Sequence, residues 1–176
     1  MKHLLSGELL KLRTTRSPFV AAAVAGAFAA LVAVLATAEP QRFGVAPLTA
    51  ASLTDLLRAP GHVVAAAALV VGILAGAGEH SHRTVVTSRL AEPDPTRGLA
   101  AKVVASAIVG AVIGAIAEGI ALGVGVAGLR LNDVALTPFE PANAGAVATV
   151  VLAAAVSAAL GTGLGSLVRS TAAATT

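Results

Sequence analysis

"VVASAIVGAVIGAIAEGIALGVGVAGL", residues 103–129, is a long apolar run in which Glu118 is the one charged side chain. A bilayer core needs roughly 20 apolar residues in helical form, within a range of about 17 to 25. The run therefore reads as a membrane span with length to spare for tilt. Hydrocarbon offers the backbone no hydrogen-bond partner, so a segment that crosses it satisfies its own amides as a helix.

Working outward, three more runs share this character. They are "FVAAAVAGAFAALVAVLATA" at 19–38, "HVVAAAALVVGILAGAG" at 62–78 and "AGAVATVVLAAAVSAALGTGLGSLV" at 144–168. The composition agrees: of 176 residues, 56% are hydrophobic and 12% charged, half the charge of a soluble domain. The expected fold is an all-α polytopic membrane bundle of four transmembrane helices spanning 18–176. An amphipathic interfacial helix over 1–17 precedes it. In that segment Leu5, Leu9 and Leu12 share a face, as in a helix lying in a membrane surface.

The net charge of +3 raises the question of nucleic acid. The basic residues sit between apolar runs without an aromatic stacking platform, which argues against that partner. Cysteine is absent, so disulfides and thiolate metal sites are excluded. Trp and Tyr are absent too, which leaves interfacial anchoring to Lys and Arg, helped by Phe19 and Phe43.

Orientation follows from the basic residues. One side holds Lys2, Lys11, Arg13, Arg16, Arg83, Arg89, Arg97, Lys102 and Arg169, and the other holds Arg42, Arg58 and Arg130. Nine against three places the N-terminus, the 79–102 connection and the C-terminus in the cytoplasm. The first run ends in "ATAEP", which mimics a signal cleavage site. Its length near 20 exceeds the roughly 7 to 15 residues of a signal core, so an uncleaved span is expected. The outer connections are 39–61, where "LTAASLTDLLR" (48–58) suits a short amphipathic helix on the outer surface, and the turn-rich 130–143.

Glu118 is the one acid inside a span. Such a carboxyl costs about 2.5 kcal/mol or more to insert and marks a functional site by default. Two readings stay open: a polar site on a translocation path, or a protonated or hydrogen-bonded side chain packed against a neighbouring helix. Gly110 and Gly114 precede it at four-residue spacing on one face. Gly119 with Gly123, and Gly161 with Gly165, repeat that spacing, which permits close helix packing. Glu79, His80 and His82 lack a third and fourth metal ligand at useful spacing, so no metal is expected. No nucleophile–base pair or phosphate loop is visible. "GTGLGS" near Gly161 lacks the Lys of a P-loop, and His62 lies at the opposite face from His80 and His82, which excludes a bracketed haem.

The polar segment 78–102, "GEHSHRTVVTSRLAEPDPTRGLAAK", joins the second and third spans. A glycine-rich span end, "AGAGEHSHRTV", then an amphipathic turn, then "RGLAAKVV" resembles the permeases of the ABC-2 transporter family. Glu79, His82, Thr84, Val85 and Lys102 fall on that family's pattern of Glu, basic or His residue, Thr, hydrophobic position and span-opening Lys. Arg83 stands where the family has Gly, and His80 where it has an aromatic. "GELLKLRTTRSPF" resembles the family's basic amphipathic start, and "LGSLVRSTAAA" fits after the fourth span.

The resemblance implies a transmembrane subunit of a bacterial plasma-membrane exporter that hydrolyses nothing itself. ATP and Mg would sit on a separate ATP-binding subunit, with a second copy or a sister permease completing the pair. Residues 79–102 would form the coupling helix, with Glu79, His82, Arg83, Thr84, Val85, Arg89 and Lys102 facing the ATPase. Family permeases have six spans, so the resemblance implies either a truncated sequence, as the ending "STAAATT" suggests where relatives run on into a fifth span, or a shortened or degenerate member. The competing expectation is a non-transporting accessory membrane protein. The substrate is not legible in spans this poor in polar groups.

Overall fold

A computed structural model of the chain describes residues 2–81 and 95–173. Six helices appear there: α1 (Lys2–Thr14), α2 (Ser17–Ala38), α3 (Ala50–Arg58), α4 (Gly61–Ser81), α5 (Pro95–Leu131) and α6 (Pro141–Ala173). No strand occurs among the described residues. Four stretches are long and apolar enough to cross a membrane: Ser17–Ala38, Ala50–Ala77, Thr96–Leu131 and Pro141–Leu167. The chain is a helical bundle of membrane character.

Why these helices start where they do is local chemistry. Pro18 stands in the first turn of α2, where its missing N–H costs nothing. Thr49 and Ser52 form a reciprocal capping box at the start of α3. Pro95 and Pro141 open α5 and α6. At the end of α5 the Val134 amide donates to Leu129 and the Asp133 amide to Arg130. That is a Schellman closure, with Asp133 in the left-handed region at φ 58°.

Glycine contacts fix the register of the bundle. Gly110 meets Ala154 and Ala158, and Gly114 meets Val150, Val151 and Ala154, so α5 and α6 run antiparallel. Gly72 meets Ala158 and Thr162, and Gly76 meets Thr162 and Gly165, so α4 runs parallel to α6. Gly26 meets Ile120 and Gly128 meets Thr37, so α2 runs parallel to α5. The long helices are thereby staggered. α4 pairs with α6 from Val150 onward, alongside the first half of α5, while α2 meets the second half of α5 at Ile120 and Gly128.

The stagger leaves room above α4, and α3 fills it. The expectation of a helix over 48–58 on the outer surface needs correcting in one respect: its apolar face is turned into the bundle. Leu53, Leu56 and Leu57 are buried, with Leu53 and Leu56 against Gly125 of α5. Only Ala59 and Pro60 separate α3 from α4, and Pro60 is itself buried. The second span is thus two helices with a break, since Pro60 has no N–H to continue the ladder.

The helix expected over 1–17 forms as α1 over Lys2–Thr14. Its Leu5–Leu9–Leu12 face is turned inward, with Leu12 buried, and the helix packs against α5. Leu10 is exposed. The bundle interior is built mostly of alanine, including Ala25, Ala29, Ala68, Ala117, Ala121, Ala154 and Ala158. Many of the larger side chains, such as Val24 and Leu31 on α2, Val112 and Ile116 on α5 and Leu152 and Leu160 on α6, are exposed. Small residues inside and large ones outside suit a bundle whose helices associate by close packing in lipid.

Candidate functional site around Glu118

The inward face of α5 reads Ser106, Gly110, Ile113, Gly114, Ala117, Glu118, Ala121 and Gly125, all buried. Below Glu118 the two glycines bring α5 onto the α6 backbone. A Cβ on Gly110 would lie 2.5 Å from the Ala154 carbonyl oxygen, and one on Gly114 3.0 Å from the Val151 Cα. Above it, Gly125 sits 3.2 Å from Leu53 Cδ1 of α3 by the same measure. Glu118 falls in the seam between these contacts, one turn above Gly114 and two turns below Gly125.

That seam lies opposite the break in the second span. Gly61, the first residue of α4, approaches Val150 of α6 (3.2 Å from its would-be Cβ to Val150 Cγ2), and Val150 in turn neighbours Gly114. Residues 57–61 therefore occupy the level of Glu118. The carboxyl is 1% exposed. Neither of its oxygens has a hydrogen-bond partner among the described residues. A buried polar group without a partner is rare and calls for an explanation. Ser106 Oγ, more than three turns away along the helix, shares that condition.

One turn beyond, α3 and α6 are joined by a polar pair. Thr54 Oγ1 donates to Asn143 Oδ1 at 2.7 Å, and Asn143 Nδ2 donates to the Pro138 carbonyl at 3.2 Å. Asn143 is buried at 4% exposure. This pair is not legible from sequence, because Thr54 and Asn143 are 89 residues apart. The break at Pro60–Gly61 is visible as a Pro-Gly dipeptide, but nothing local says that it reaches span depth.

The remaining expected site residues divide into three groups. His82, Arg83, Thr84, Val85 and Arg89 lie outside the described residues. Glu79 belongs to the last turn of α4, and Lys102, half-buried, to the early part of α5, so helix replaces loop at both ends of 79–102. Gly161 and Gly165 lie against α4. A Cβ on either would collide with backbone carbonyl oxygens, those of Leu69 and Ile73. Their counterparts Gly72 and Gly76 complete the contact from the α4 side. The same four-residue spacing in "VVGILAGAG" would have found them. Among the described residues Gly119 and Gly123 meet nothing within 4 Å, so their spacing marks no contact there.

No family model matches the chain, and neither does any curated protein or solved structure.

Proposed function

We propose that this membrane bundle is the transmembrane subunit of an ABC-2-type exporter, coupled to a separate ATP-binding subunit. The observation that carries this reading is the sequence of the connection between α4 and α5. Glu79, His82, Thr84, Val85 and Lys102 stand at the spacing of that family's coupling segment. Two further features support it. Helix occupies both flanks of the connection, up to Ser81 and from Pro95, so a short polar segment is held between two long rods. α1, the basic N-terminal helix, packs against α5, on the rod that leaves the connection.

On this reading the 82–94 connection docks on the ATPase in the cytoplasm, and movement of that partner is passed to α4 and α5. A rigid helix transmits displacement along its length, and α5 is 37 residues long, about 55 Å at 1.5 Å per residue. The distribution of Lys and Arg supports a cytoplasmic N-terminus. A second copy of the chain or a sister permease would complete the path.

The test is purification from native membranes with the product of any neighbouring ATP-binding gene. Co-purification that survives in the wild type and is lost on joint reversal of Arg83→Glu and Arg89→Glu supports the reading. A chain that purifies alone, and leaves the ATPase rate unchanged when the two are mixed, favours an accessory membrane protein instead.

A further inference from the structure

The carboxyl of Glu118, the break in the second span and the Thr54–Asn143 pair lie at successive levels of one seam, and together they call for a single account. We infer that Glu118 is an occluded proton-binding site and that α3 is its lid, hinged at Ala59–Gly61 and latched by Thr54 on Asn143.

The charged side chains on neighbouring elements, Asp55 and Arg58 on α3, His62 on α4, Arg130 and Asp133 at the end of α5 and Glu140 before α6, are all exposed. Lys102 is more than four turns away along α5. α2 brings Ala25, Ala29 and Ala33, and its Thr37 hydroxyl is bonded to the Ala33 carbonyl at 2.8 Å. No counter-charge and no donor reaches the Glu118 oxygens among the described residues. A carboxylate buried alone is far more costly than the neutral acid, so in this packing the group carries its proton. A proton is also the ligand that needs no cavity, and the walls here are close-packed.

Release then requires water, and the structure offers one element that could admit it. α3 is nine residues long and covers the seam with Leu53, Leu56 and Leu57. It is separated from α4 by the Pro60 break, where the helical ladder is already interrupted. Its hold on α6 includes the single polar bond from Thr54 to Asn143. Swinging α3 outward about Ala59–Gly61 would break that bond, remove the leucines and open Glu118 toward the end of the bundle where α2 and α5 finish. A proton could then exchange with water at that end, while Gly110 and Gly114 keep the opposite end sealed on α6.

The inference does not depend on the exporter reading, and its test separates the two. The full-length protein is reconstituted in lipid nanodiscs without any ATPase and treated with two carbodiimides, one hydrophobic and one water-soluble, followed by peptide mass spectrometry. The expected result is modification of Glu118 by the hydrophobic reagent, with the water-soluble reagent confined to exposed acids such as Glu39 and Glu140. Asn143→Ala and Thr54→Val should each raise water-soluble labelling of Glu118 about fivefold, the change in open population expected for one neutral hydrogen bond. Difference infrared spectra should show a protonated carboxyl band that is missing in Glu118→Gln. Rapid labelling of wild-type Glu118 by the water-soluble reagent would overturn occlusion. Labelling unaltered in both latch variants would overturn the lid. A Glu118 that shows only carboxylate bands at neutral pH would overturn the proton site, and the wild-type spectrum decides this even if a variant fails to fold.

Discussion

Two of the seams that hold the bundle are built on different terms. Between α4 and α6, Gly72, Gly76, Gly161 and Gly165 interlock, and in each case an added Cβ would strike a backbone carbonyl oxygen of the facing helix. Between α2 and α5 an added Cβ would meet side chains: on Gly26 it would lie 2.6 Å from Ile120 Cδ1, and on Gly128 2.5 Å from Thr37 Oγ1. The first seam cannot yield without moving a helix. The second can yield by turning a side chain. In lipid, where apolar contact with a neighbouring helix is worth little more than contact with acyl chains, the backbone approach of α4 and α6 makes the rigid pair. α2 is the adjustable one.

The comparison breaks first at Gly161. Gly161→Val or Gly72→Val should cost about 3 kcal/mol or more, at the upper end of overpacking effects, read as a collapse of thermal stability in detergent by circular dichroism. If either variant melts like the wild type, the α4–α6 seam is not the rigid one. Gly128→Ala is an intermediate case, because Thr37 is buried and its hydroxyl is engaged with Ala33 and Val34 carbonyls. A loss of roughly 1–3 kcal/mol is expected. Asn132→Ala tests the polar tie of that same seam, since Asn132 Nδ2 donates to the Thr37 carbonyl at 3.3 Å and to the Gly128 carbonyl at 2.9 Å. It should cost about 1 kcal/mol. Gly26→Ala should be nearly neutral: the flexible tip of Ile120 can turn away, and the gain in helix propensity, at most about 1 kcal/mol, offsets the remaining crowding. The control is Gly119→Ala with Gly123→Ala, which meets open space and should leave the melting curve of the isolated chain unchanged or slightly raised. Destabilisation there would mean that a second molecule packs on that face.

This control shows how far spacing alone can be read. Gly119–Gly123 and Gly161–Gly165 have the same four-residue interval, and the sequence cannot tell them apart. One pair faces outward and the other a helix more than 80 positions earlier in the chain. Glu118 is a similar case. Its rarity in an apolar run is visible from composition, and so is its place near the middle of the span. Its isolation from every described donor is not, because that depends on which side chains arrive from α2, α3 and α6. The α3 segment was legible as an amphipathic helix from "LTAASLTDLLR", yet its leucine face turned out to serve the bundle. The sequence shows that a face is apolar without showing whether lipid or protein covers it.

What the chain settles alone is therefore the class and count of its long elements: apolar runs of span length must be helices, because their amides have no other partner in hydrocarbon. The starts of α2, α3, α5 and α6 rest on local chemistry too, set by Pro18, the Thr49–Ser52 box, Pro95 and Pro141. The pairing of α4 with α6, the stagger that admits α3 and the seclusion of Glu118 were decided only by tertiary structure. Each depends on which small residues from distant segments come into backbone contact, and that is a property of three-dimensional fit, which a local pattern does not carry.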